Sequence, residues 1–206
     1  MNNVIFFQWI YVIMKIQFTA YVKHDLVAMI KIGLLSGIVG GFALFSSFFW
    51  IDVDLGVAPG TFYKMVGVVV GLHEMPAIIF GFFAHMITAA VIGMVFCVVS
   101  LSHKYLRIDG TSKGIVAGII TGIEVYALIF LPLSIYVMIP IAQDYTMGLR
   151  GVVLSDETDA ITKLLQNPEK MLWGSLILHI LYGGIMGLFS SIMLHEKYSP
   201  KSKNHR

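Results

Sequence analysis

Apolar residues in this chain gather into four long runs separated by short polar connections, roughly 27–50, 77–101, 114–142 and 172–194. Each run exceeds the about 20 residues that a helix needs to cross about 30 Å of hydrocarbon. Only Lys31 and Glu124 carry formal charge inside them. A backbone in lipid must satisfy its amides within its own segment, so the runs are helices and not strands. The pattern predicts an all-α integral membrane protein built as a four-transmembrane-helix bundle.

The segment 1–26 is apolar from Val4 to Val22, but Gln8, Lys15, Thr19 and Lys23 share one helical face. That suits a helix lying in the membrane interface; a fifth span, or translation beginning at Met14, are the alternatives. No small-x-small site follows, so a cleaved signal peptide is not expected. The chain then divides into a first helix pair (27–101), a connection (102–113), a second helix pair (114–194) and a basic tail (195–206). Within the second pair, Ile161, Leu164 and Leu165 behind an acidic first turn predict an amphipathic surface helix over 156–166, ended by Asn167-Pro168. The connection 59–76 is apolar enough to dip into the interface, and its glycines leave a regular helix there undecided.

Charge orients the runs. Lys104, Arg107 and Lys113 in one connection, and Lys197, Lys201, Lys203 and Arg206 in the tail, place both on the cytoplasmic side. The other two connections are acidic on balance, and Trp50 and Trp173 sit at the ends facing them. The expectation is a multi-pass protein of the cytoplasmic membrane with a cytoplasmic C-terminus. The composition agrees, being 57% hydrophobic and 13% charged. Too few polar residues remain to cover a soluble enzyme, and the net charge of +2 gives no footing for nucleic acid. Cys97 is the single cysteine, so neither an intrachain disulfide nor a cysteine-based metal cluster can form.

An internal repeat is the most specific signal. Lys31, Gly33, Gly37 and Gly41 are echoed by Lys113, Gly114, Gly118 and Gly122. His85 with Gly93 is echoed by His179 with Gly187, in the same order. Two spans per unit give both halves one orientation, related by a pseudo-twofold along the membrane normal. Gly33, Gly37 and Gly41, then Gly114, Gly118 and Gly122, form small-residue ridges, and Gly183 and Gly187 begin a third. In lipid such ridges supply close helix packing; they serve the bundle itself or face a partner subunit.

Three ionisable groups lie deep in the runs: His85, Glu124 and His179. Counted at about 1.5 Å per residue, they fall near one level. One reading has them converge as a polar site. His85 and His179 are then candidate metal ligands, with haem or copper as the cofactor, or a proton path. The other has each histidine bond a neighbouring helix and Glu124 bond one of them, with no cofactor. Near the surface, His73-Glu74-Met75 with Asp52 or Asp54 reads as a solvated loop in preference to a cation site. Pro132 frees the carbonyl of Leu128 and predicts a kink. No phosphate loop, dinucleotide fingerprint, zinc-protease helix or nucleophile elbow occurs, which argues against an enzyme.

The stretch from His179 to Gly187 resembles uncharacterised small polytopic membrane proteins of archaea and bacteria, in which tandem glycine-rich helices end with a histidine followed by small residues. The resemblance covers the four spans and implies no activity. The reading favoured here is a non-catalytic structural or accessory subunit, set in the lipid bilayer and packing through its glycine ridges against other membrane subunits or itself. An archaeal copper-dependent membrane monooxygenase is one complex that could take such a companion. The competing class is a small metal- or haem-binding electron carrier, or a transporter, built on His85, Glu124 and His179.

Overall fold

A computed structural model describes residues 22–102, 106–148 and 155–198. The N-terminal segment, most of the basic tail and part of the basic connection fall outside these residues. Among the described residues the protein is all-helical. We number the helices α1 (Val22–Asp54), α2 (Thr61–Val69), α3 (Glu74–Ser102), α4 (Thr111–Thr146), α5 (Ser155–Gln166) and α6 (Pro168–Tyr198). Four of them are long and apolar enough to cross a membrane, over Leu26–Asp54, Glu74–Ser102, Thr111–Thr146 and Pro168–His195. These contain the four expected runs and extend each by a few residues. Their outward surfaces carry Phe42, Phe83, Ile87, Val116, Leu128 and Ile177, all exposed. In water such a surface would be an aggregation patch; in lipid it is ordinary. Hydroxyls within these helices turn inward onto their own backbone, as Ser36 does on Ile32 O at 2.7 Å and Thr88 on Ala84 O at 2.8 Å.

The helices pair as antiparallel hairpins through glycine. A Cβ on Gly33 would overlap the Gly93 carbonyl, and one on Gly37 the Ala89 carbonyl, so α1 and α3 touch backbone to backbone. In the α4/α6 hairpin, Gly114, Gly118 and Gly122 meet the carbonyls of Gly187, Gly183 and His179 in turn. With no hydrophobic force between helices in lipid, this close approach supplies the packing. All eight ridge glycines are buried within the chain. The ridges are therefore used internally, and a partner would have to dock elsewhere. The hairpins join through α1 and α6, where Tyr182 lies over Gly40 and donates from Oη to Ala89 O at 3.0 Å.

The connection 59–76, left undecided by its glycines, does form a helix, α2. Asp52, fully buried at the end of α1, accepts from the Gly60 amide at 2.7 Å and the Phe62 amide at 3.2 Å. A carboxylate on the first free amides caps and favours a helix start. Gly67 serves packing, since a Cβ there would strike Ala77, and one on Gly81 of α3 would strike the Tyr63 carbonyl, so α2 crosses α3 closely. The α5 helix appears where the amphipathic pattern placed it, with Ile161 and Leu164 buried. Pro132 and Pro140 do not break α4. Ahead of each, the helix widens into a π-turn, Tyr126–Phe130 and Ser134–Met138. The Leu131 amide thus bonds Tyr126 O, and the Ile139 amide bonds Ser134 O. A wider turn absorbs the missing donor and the bulk of the proline ring.

Candidate functional site

The structure brings two of the three expected polar residues together. His85 of α3 and His179 of α6 both line a cavity of about 240 Å³ between the hairpins. Its floor includes Leu44 of α1 and Tyr182 of α6, its roof Phe62, Tyr63 and Val66 of α2, and its far wall Val125, Phe130 and Met138 of α4. The α4 wall comes largely from the two π-turns. The helices α3 and α4 are not among the closely packed pairs. Phe80, Thr88, Ile129 and Leu133 at the rim are exposed. The cavity is thus a cleft that opens sideways.

Each histidine is fixed by one carbonyl. His85 donates from Nε2 to Gly41 O at 3.3 Å, across to α1. His179 donates from Nδ1 to Ser175 O at 2.7 Å, on its own helix and not a neighbouring one. With the proton so placed on a neutral imidazole, Nδ1 of His85 and Nε2 of His179 remain lone-pair acceptors. Aromatic rings hold both: Tyr63 stands 5.7 Å from His85, and Phe130 stands 5.0 Å from His179.

Glu124 does not join them. It is exposed and forms no hydrogen bond or ion pair among the described residues. The cause is helical phase. Gly122 sits on His179, and a residue two places further on lies about 200° around the helix. The expected convergence of His85, Glu124 and His179 is corrected accordingly, as is a bond from Glu124 to either histidine. Among the described residues no cluster of three or more histidine, cysteine, aspartate or glutamate side chains is arranged to hold a metal ion.

A second polar centre, not anticipated, lies at the acidic end of the bundle. Glu157 of α5 is 2% exposed. It accepts from Tyr145 Oη at 2.6 Å and from the Glu74 amide at 2.9 Å, bonds His73 Nδ1 at 3.1 Å, and has Lys64 Nζ at 3.9 Å. The His73 ring and the Glu74 amide are thus held in a latch joining α2 and α3 to α4 and α5, while the Glu74 and Met75 side chains stay exposed. Burial pushes the Glu157 carboxyl upward, but the Tyr145, Glu74 and His73 hydrogen bonds and the Lys64 charge outweigh it, leaving the pKa below its ordinary value. Two signals in the sequence point to these elements. Glu157 shares the face of Ile161 and Leu164 at steps of four and three, and Phe62, Val66, Val69 and Val70 repeat at helical spacing.

Among the described residues, these features define an all-helical fold with four helices able to cross a membrane and a sideways-opening cleft between two hairpins. No family model, curated protein or solved structure matches this chain.

Proposed function

We propose that the protein is a non-catalytic subunit of a larger membrane complex, docking through the outward face of α4. The observation that carries this is the position of Glu124. At about 1.5 Å per residue it lies about 20 Å along α4 from Thr111, well inside a hydrocarbon layer centred on that helix. A carboxyl facing lipid is costly, and such groups almost always find a partner. Lys31, also exposed, is near the basic end of α1, where a long side chain reaches the headgroups; Glu124 is too deep and too short for that. Val116, Ile120, Glu124 and Leu128 form one outward strip at steps of four, with Leu128 75% exposed. A membrane helix offering a hydrogen-bond donor or cation against this strip would satisfy the carboxyl.

The matched crossings of Gly33 with Gly93 and Gly114 with Gly187 support descent from a duplicated helix pair. Charge asymmetry supports a cytoplasmic-membrane location with the basic end and C-terminus inside. A photo-crosslinking residue at Leu128 tests the docking face in native membranes. A discrete adduct with one second polypeptide is expected, weakened at least about tenfold by Glu124→Gln, the loss of one buried charge-assisted contact. The same residue at Val95, exposed on α3, is expected to give none. Adducts with lipid alone at Leu128 would refute the proposal.

A further inference from the structure

We infer that the cleft between the hairpins is a binding site for a small, neutral, lipid-soluble molecule bearing a hydroxylated ring, of the phenol or hydroquinone class. Four observations select that chemistry. The cavity of about 240 Å³ exceeds the roughly 150 Å³ known to admit benzene, so it holds one substituted ring and is too small for a haem macrocycle. No aspartate, glutamate, lysine or arginine lines it, so a charged group would be desolvated without compensation. Its histidines offer Nδ1 and Nε2 as acceptors, which call for a ligand that donates. Phe62, Phe130 and Tyr63 line it, with Phe62 itself stacked on Phe48 and Phe130, an aromatic wall that a further ring packs against well.

Tyr63 borders the cleft but is 1% exposed, and its hydroxyl, without a partner among the described residues, has almost no accessible area to offer a ligand. The open side between α3 and α4 gives a route from the hydrocarbon for the ring and leaves room for an apolar tail.

The test uses the full chain in phosphatidylcholine nanodiscs, with empty nanodiscs as the partition blank. Calorimetric titration with 4-butylphenol is expected to show one saturable site, and butylbenzene, which has no hydroxyl, should bind about tenfold more weakly. A diazirine-bearing alkylphenol should label peptides from α2, α3 or the π-turns of α4 in the unmodified protein. Ala84→Leu, which fills the cleft wall, should abolish saturable binding while melting as the parent does. If that variant fails to fold, the labelling map decides alone. Equal binding of butylbenzene, or label confined to residues outside the cleft, would overturn the inference. So would one tightly held copper or zinc ion per chain that His179→Ala removes, since the histidines would then be metal ligands.

Discussion

Gly118→Val is expected to unseat the α4/α6 hairpin. The added Cβ would overlap the Gly183 carbonyl and crowd the Gly187 Cα, and neither backbone can yield without separating the helices. Overpacking costs about 1–3 kcal/mol where side chains can move; here only backbone is available, so the upper end applies. For a chain of this size, about 3 kcal/mol corresponds to a fall of roughly 6 to 12 °C in melting midpoint. Gly37→Val should do the same to the α1/α3 hairpin, where Ala89 O is struck. Gly184 is the control, because a Cβ there meets only Ile119 at 3.6 Å. Gly184→Ala should leave the midpoint unchanged or raise it slightly, by up to about 1 kcal/mol of recovered helix propensity. Equal midpoints for Gly118→Val and the parent would mean the ridges do not carry the packing.

Removing the Glu157 carboxylate is expected to have the second large effect. Glu157→Ala removes the acceptor of the Tyr145 hydroxyl and of the Glu74 amide and the partner of His73 together, with Lys64 left near by. Breaking a buried charged contact by deleting one partner costs about 3–5 kcal/mol. Glu157→Gln should lose less, about 1–3 kcal/mol, since its amide oxygen still accepts while its NH2 faces donors. The pH dependence follows from the lowered native pKa. The stabilisation is fully present above the ordinary glutamate value, declines as pH falls below it, and is gone below the native value. Melting of the parent should therefore hold steady from neutral pH into mild acid and then drop. The Glu157→Ala protein should lack that component of the drop, which a melting series across acidic buffers would read directly.

The helices were legible because a span needs a long apolar run whatever it packs against, and length with composition fixes that locally. The ridge glycines were legible too, since spacing at four places them on one face, but which helix they met was not. That choice depends on tertiary pairing, and the structure shows the pairing to be internal. Glu124 shows the limit of depth as a guide. Its level beside His179 follows from rise per residue, whereas its facing depends on phase relative to Gly122, which becomes readable only once Gly122 is seen on His179. Proline chemistry predicted a disturbance in α4 but not its form. A π-turn needs neighbours that accept the wider helix, and here its residues wall the cleft. Nothing local marks Asp52 and Glu157 for burial, because acidic connections are usually solvated. Their burial arises from amides and a tyrosine supplied by distant segments.

The proposed role requires the exposed Glu124 face to be covered by another membrane protein. Native mass spectrometry of the particle extracted from its own membranes in the mildest effective detergent is the decisive measurement. A mass above the 22.9 kDa of one chain by a stoichiometric second polypeptide is expected, with dissociation in the Glu124→Gln protein. A parent particle of 22.9 kDa alone, indistinguishable from that of the Glu124→Gln protein, would contradict it.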